Sequence, residues 1–339
     1  MSRRQVAIIG GGAWGTALAV HLGRSGAGVR LWMLEAELVT RMIERHDNPA
    51  HLPGVRVPDE VQPSSDLGEV LEGAQLVISA VPSQYARSVY RDAAPMLGAK
   101  VPVLVACKGI EEQTLALPLE VAGDELGDTD RLAVLSGPSF ALEVAQGRPT
   151  AVVIAAASPM LAASLQQAVA SRELRIYTNQ DPLGVQLSGA LKNVMAIAVG
   201  IADSLEMGTN AVAALITRGL AEMSRLVTAL GGKPATTAGL AGMGDLVLTC
   251  TGELSRNRRV GQRLGRGERL QDILSGSRSV AEGVRTTRSA RELALRSAVE
   301  MPIVEGVYRI LYEDGRVQEG IDRLLERPLK SEDESPRTR

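Results

Sequence analysis

The stretch QVAIIGGGAWG near the start of the chain restricts the fold more than any other segment. An apolar run, residues 5–10, leads straight into Gly10, Gly12 and Gly15, which satisfy G-x-G-x-x-G. The following TALAVHLGRSG has helical spacing and ends at glycine, and a second apolar run begins near Ala27. In a strand–turn–helix–strand unit each glycine has its own task. Gly10 permits the tight turn, Gly12 lets the backbone approach a pyrophosphate, and Gly15 lets the helix pack closely on the strand. The helix N-terminus then offers unpaired N–H groups to the anion. These residues predict a dinucleotide site, with a purely structural glycine turn as the alternative.

Further apolar runs at 27–34, 75–81, 101–107 and 131–137 alternate with helical stretches and read as buried parallel strands joined by crossovers. Residues 149–157 and 175–179 extend the sheet, with room for antiparallel members. Beyond residue 181 helical patterns dominate through residue 327, and the tail KSEDESPRTR is polar. The expected architecture is an α/β N-terminal Rossmann domain (1–181) with a doubly wound, mainly parallel sheet, then an all-α C-terminal domain (182–327) and a flexible tail (328–339). The uncharged stretch 149–171 contains two prolines and a QQ pair, so it reads as strand, turn and helix, with no stable membrane insertion expected. A cytoplasmic protein is the default expectation.

The arginine cluster SRNRR at 255–259 raises the question of nucleic acid. The chain has 37 basic and 39 acidic side chains, a formal charge of -2, and Phe140 is its single phenylalanine. Neither the charge nor the supply of stacking rings suits a nucleic-acid binder. Cys107 and Cys250 lie in apolar surroundings and read as small core residues, and His21, His46 and His51 form no metal-ligand spacing, so no metal is expected.

Several loops carry chemistry. Glu35 lies twenty residues after Gly15, where an acid can accept bonds from an adenosine ribose; it equally suits the first turn of the next helix. Arg30 and Arg41 are not compelling partners for a 2′-phosphate. Lys108 stands at the end of a strand, open to a ligand phosphate or to water. Gly137 and Pro138 turn the chain at the next strand end, and Ser139 suits a helix cap or a ligand contact. In doubly wound sheets such loops converge on one crevice.

Lys192 is the only ionisable residue between Asp181 and Asp203, within an apolar helical stretch that also aligns Ser188 with it. Burial would lower its pKa toward that of a general base, whereas snorkelling to water would leave it ordinary. Asp245, carried by the glycine-rich GLAGMGD, suits either a substrate hydroxyl, Lys192 or a helix cap. Asn210 is expected to cap the helix that follows it. Ser255, Arg256 and Asn257 combine a hydroxyl, a guanidinium fork and an amide, a set suited to phosphate. Glu282 is a further loop candidate.

In order along the chain, IIGGGAWGTALA, NPAHLPG, VPSQ, CKGIE, LSGPSFALEVAQGRPTAVV, SGALKNVMAIAVGI, AGMGDLVLTCTGELSRNRRVG and VAEGVRTT resemble the bacterial NAD(P)-dependent sn-glycerol-3-phosphate dehydrogenases over nearly the whole length. The resemblance implies reversible hydride transfer between NAD(P)H and dihydroxyacetone phosphate, giving sn-glycerol 3-phosphate for phospholipid synthesis, and it is compatible with a homodimer. It makes Lys192 the catalytic lysine. It assigns Lys108, Gly137, Ser139, Lys192, Asp245, Ser255, Arg256 and Asn257 to substrate. It assigns Ala13, Trp14, Lys108, Ala141, Arg256, Val280 and Glu282 to the coenzyme, NAD or NADP, beside the glycine turn. Ala13 stands where a serine is frequent, His51 where a tyrosine is, and Leu34 where a basic residue is. The last departure weakens the case for NADP. Another phosphorylated-alcohol or hydroxy-acid dehydrogenase, or a non-catalytic NAD(P)-sensing protein, would share the turn.

Overall fold

A computed structural model describes residues 4–275, 281–313, 315–329 and 331–332. The strands are β1 (Gln5–Ile9), β2 (Gly28–Trp32), β3 (Asp47–Asn48), β4 (Leu52–Arg56), β5 (Val61–Ser64), β6 (Leu76–Ser79), β7 (Val103–Val105), β8 (Leu132–Ser136), β9 (Thr150–Ala155) and β10 (Leu174–Asn179). Eight of them form one sheet in the order β10-β9-β8-β7-β6-β1-β2-β5, and β3 pairs with β4 separately. The sheet is parallel except where β9 runs antiparallel to β8. From β1 the chain winds outward through β2 to β5, then returns to β6 on the other side of β1 and winds the opposite way. The turn after β1 therefore lies at the switch point, where the two directions of winding open a crevice beyond the strand ends.

Successive residues of β1 point to opposite faces. Val6 and Ile8 join a core with Leu18, Leu22, Leu31, Ile78, Leu104 and Leu135. Ala7 and Ile9 join another with Val77, Tyr90, Val103 and Val105. Strands buried on both faces explain the unbroken apolar runs. The small β3–β4 pair and β5 carry no such run: LPGVR and VQPS are short and interrupted by proline. Pro63 is tolerated because β5 is the sheet's edge.

After β10, Asp181 accepts a hydrogen bond from Gly184 N–H (2.8 Å) and so caps the helix Pro182–Ser204. This helix is the axis of the second half. It is also the one described helix long and apolar enough to cross a membrane, but that apolar stretch is entirely buried among other helices. Its partners include Gly208–Ala229, Arg256–Gly265, Glu282–Arg296 and Pro302–Tyr312. A Cβ at Gly200 would stand 2.1 Å from the carbonyl oxygen of Arg258, so Pro182–Ser204 and Arg256–Gly265 cross in backbone contact. Asn210 does not cap its helix, which already begins at Gly208 with Met207 at the capping position.

Glu222, 2% exposed, reaches across this bundle. Its carboxylate accepts from Ile303 N–H (2.8 Å) and Val304 N–H (3.4 Å) at the start of Pro302–Tyr312. Burial pushes the carboxyl up to about 7, against the pull of the two amides and Arg225. The stability linked to this group is full below the ordinary carboxylate range and is lost as pH rises through about 7. Glu222→Gln keeps a carbonyl acceptor and removes that dependence. Between about pH 5 and about pH 8 the native chain should lose up to about 3 kcal/mol more than the variant in urea unfolding. Parallel pH profiles of the two chains would refute this.

Candidate active site

At the switch point Gly10 adopts φ +112°, and a Cβ there would stand 2.9 Å from the backbone carbon of Ala80 on the neighbouring strand end. A Cβ at Gly15 would stand 1.8 Å from the Gly10 carbonyl oxygen, so helix and turn touch directly. Around Gly12 an added Cβ would meet nothing within 4 Å. Gly12 is also the N-cap of the helix Ala13–Arg24 and offers no side chain to its first amides. The result is an open backbone face at a helix N-terminus, suited to a pyrophosphate. Ala13 and Trp14 follow it, half-buried. Ala141 opens a short helix, Ala141–Ala145, that packs on Ala13–Arg24, with Arg24 donating to the Ala145 carbonyl.

The turn is held from below by a residue that sequence reasoning passed over. Asn48 on β3 donates to the Gly11 carbonyl (2.9 Å) and to Thr16 Oγ1 (2.9 Å). The segment NPAHLPG contained the residue, but nothing in its spacing linked it to a turn 37 positions earlier.

The charged centre lies where strand ends meet the helical half. Lys108 follows β7, and its Nζ donates to Asp245 Oδ2 (2.5 Å) and to the Gly137 carbonyl (3.2 Å). Lys192, midway along Pro182–Ser204, donates to Asp245 Oδ1 (2.7 Å) and to Thr249 Oγ1 (2.7 Å). Thr249 in turn donates to the Asp245 carbonyl (2.6 Å). Asp245 thus holds one lysine on each carboxylate oxygen and is 1% exposed. Burial pushes its carboxyl up, yet the two ammonium groups outweigh this and hold it below the usual range. Burial pushes the Lys192 ammonium down to about 8, with Asp245 pulling it back up and Lys108 adding to the fall. Lys192 therefore does not snorkel, and Asp245, first residue of the helix Asp245–Thr251, is engaged by lysines in preference to capping. Thr249 was legible only as the residue one turn beyond Asp245.

Ser139 does not cap Ala141–Ala145, whose capping position is Phe140; its hydroxyl donates to the Gly137 carbonyl (3.0 Å). The same carbonyl receives Lys108, so Gly137 and Ser139 belong to the lysine cluster. Ser188 is fully buried and its hydroxyl has no partner among the described residues.

The SRN set divides its work. Ser255 Oγ accepts from Arg258 N–H (3.2 Å) and caps Arg256–Gly265. Asn257 donates to Asn193 Oδ1 (2.9 Å) and accepts from Gly283 N–H (3.0 Å), tying three helices together. Arg258 is paired with Asp203 (2.7 Å), and exposed Arg259 makes a long contact to the Leu254 carbonyl (3.4 Å). Arg256 is exposed and donates to no described residue. Glu282 begins Glu282–Arg296; burial pushes its carboxyl up, while Arg256, Lys108 and Lys192 pull it back down. Arg256, Lys108 and Lys192 thus all act on the charge of Glu282. Val280 lies outside the described residues. Both cysteines are buried, with their thiols pushed up to about 12 by that burial, and serve as packing.

Known proteins match this chain along nearly its whole length. Residues 5–162 match the family model described as NAD-dependent glycerol-3-phosphate dehydrogenase N-terminus, and residues 181–322 match the C-terminus of the same family. A glycerol-3-phosphate dehydrogenase [NAD(P)+] of Citrifermentans bemidjiense is 48% identical over 330 residues, covering 97% of this chain and 98% of its own. One from Geobacter sulfurreducens is 48% identical over 341 residues, covering 98% and 99%. The crystal structure of glycerol-3-phosphate dehydrogenase from Coxiella burnetii superposes with a TM-score of 0.92 at 42% identity, covering 96% of this chain and 99% of its own. A glycine turn at the switch point, a lysine pair on one aspartate and matches spanning both halves lead to one conclusion: the chain belongs to the NAD-dependent glycerol-3-phosphate dehydrogenase family.

Proposed function

We propose that Lys192 is the proton-transfer residue of this enzyme, acting between the Gly12 turn and the Asp245 cluster. The chain is an NAD(P)-dependent glycerol-3-phosphate dehydrogenase that interconverts dihydroxyacetone phosphate and sn-glycerol 3-phosphate, a reaction supplying phospholipid synthesis. The observation that carries the role of Lys192 is its burial against Asp245 and Thr249, with a pKa lowered to about 8. Such an amine exchanges a proton at working pH.

The open backbone at Gly12 and the uncapped helix behind it fit a dinucleotide pyrophosphate, with Gly10, Ala13, Trp14 and Gly15 shaping that end. Lys108, Ala141, Arg256, Val280 and Glu282 are the candidates for holding the rest of the coenzyme. When bound, the nicotinamide supplies or takes the hydride.

The residues of the chain do the remainder. In reduction, the Lys192 ammonium donates its proton to the oxygen at substrate C2 and stabilises the negative charge developing there. In oxidation, neutral Lys192 takes the hydroxyl proton. Asp245 keeps both lysines in place and Thr249 orients Nζ of Lys192. Arg256, the guanidinium left free of described partners, suits the substrate phosphate at the far end, with Ser255 and Asn257 shaping its backbone. Phosphate binding there aligns the reacting carbon. Gly137 and Ser139 complete the wall beside Lys108.

In this assignment 1–181 binds the coenzyme and 182–327 supplies the proton-transfer and phosphate residues, in a cytoplasmic enzyme assembled as a homodimer. Sedimentation of the purified chain tests the dimer. Mixing it anaerobically with NADH or NADPH and dihydroxyacetone phosphate, then following coenzyme absorbance, tests the reaction. Consumption is expected with at least one coenzyme. Folded protein that binds coenzyme but turns over neither would refute the assignment.

A further inference from the structure

The relatives named above carry the label NAD(P)+, which leaves the preferred coenzyme open. In a strand–turn–helix dinucleotide site, the adenosine ribose lies beside the end of the second strand. An acid there favours a free 2′-hydroxyl, and a cation favours a 2′-phosphate. Here β2 ends at Trp32, and the chain passes through Met33, Leu34 and Glu35 into the helix Ala36–Arg45. Met33 is buried under the glycine turn, so that a Cβ at Gly11 would stand 2.4 Å from Met33 Cγ. That contact fixes this strand end directly beside the turn. Leu34 is 74% exposed, an apolar side chain with no charge to offer. Glu35 is exposed at the capping position, and its carboxylate accepts none of the helix's amides.

The arginines nearby are committed elsewhere. Arg30 donates to the Glu69 carbonyl (2.7 Å) and the Glu72 carbonyl (2.8 Å), at the C-terminal end of the helix Leu67–Leu71. Arg41 holds both oxygens of Asp47 (2.8 and 2.9 Å) in a bidentate pair. Arg45 is the last residue of its helix, roughly 14 Å of axis away from the first turn. The N-terminus of that helix would itself attract a phosphate, but Glu35 and Glu37 already occupy it with negative charge.

We infer that this chain selects NADH over NADPH, with Glu35 as the specificity-determining residue. Its carboxylate accepts the ribose hydroxyls and repels a 2′-phosphate, and Leu34 supplies no compensating cation. The inference rests on coenzyme binding at the Gly12 turn.

Equilibrium titration of the full chain with NADH and with NADPH, by coenzyme fluorescence or calorimetry, tests it without relying on turnover. NADH should bind about tenfold more tightly, the factor carried by ~1.4 kcal/mol. In Glu35→Gln, NADPH should tighten and NADH weaken, bringing the two constants together; in Leu34→Arg, NADPH should tighten. Both sites are exposed, so circular dichroism should show unchanged folding. Equal or tighter NADPH binding by the native chain overturns the inference and leaves the dehydrogenase assignment standing. An unchanged ratio in Glu35→Gln overturns the role of Glu35. Binding of neither coenzyme overturns the inference and the assignment together.

Discussion

Lys192→Ala will lower turnover by on the order of 10²- to 10⁴-fold while leaving coenzyme affinity unchanged. The variant removes a buried amine whose pKa lies near working pH, and it leaves the Gly12 turn intact. The pH dependence adds a second readout. Oxidation requires the neutral amine, so its rate in the native chain should rise as pH increases through about 8. Reduction requires the ammonium and should fall over the same interval. Both dependences should disappear in the variant. Lys192→Arg sharpens the test, because a guanidinium stays protonated and cannot accept the hydroxyl proton. Native-like turnover in Lys192→Ala, measured by stopped-flow absorbance, would remove the residue from the mechanism.

Asp245→Asn will cost both stability and activity. In the native chain one buried carboxylate pairs with both Lys108 and Lys192, at 2.5 and 2.7 Å. The amide keeps the shape and leaves two ammonium groups facing each other without the carboxylate they share. Removing one partner of a buried ion pair costs about 3–5 kcal/mol, because the remaining charge stays desolvated. The protein can reduce that cost by deprotonating Lys192, whose pKa should then fall below its native value. The reductive rate should therefore decline at a lower pH than in the native enzyme. Urea unfolding together with the reductive pH profile measures both effects. Unchanged stability and an unchanged profile would show that Asp245 does not hold the pair.

How much of this was legible in the sequence differed from element to element. Strands buried on both faces announce themselves as unbroken apolar runs, so β1 and β6 to β9 are legible in the sequence; β2 and β10, with alternate residues less buried, are legible as well. β3, β4 and β5 are not, because short strands at an edge or in a hairpin have neither an apolar run nor a clean alternation. Ser139 and Asn210 were natural capping residues placed one or more positions from the true helix starts; tertiary contacts, which propensity does not see, set those boundaries. The SRN set was read as a single ligand-facing group. The side chains of Ser255 and Asn257 hold helices, and Arg256 has no hydrogen-bond partner among the described residues.

The sequence by itself determined the glycine turn and the sheet class, and it singled out Lys192 as a candidate. Each follows from local covalent facts: glycine spacing, apolar runs and one ionisable side chain in an apolar helix. Only the tertiary structure decided the charge state and company of that lysine. Asp245 lies 53 positions from Lys192 and 137 from Lys108. No periodicity brings two such lysines onto one carboxylate, and a pKa near 8 exists only once the surrounding water has been excluded. The same holds for the strand end at Leu34 and Glu35. Their exposure and the commitment of Arg30 and Arg41 to other partners are properties of packing, and together they set which charge a bound coenzyme would meet there.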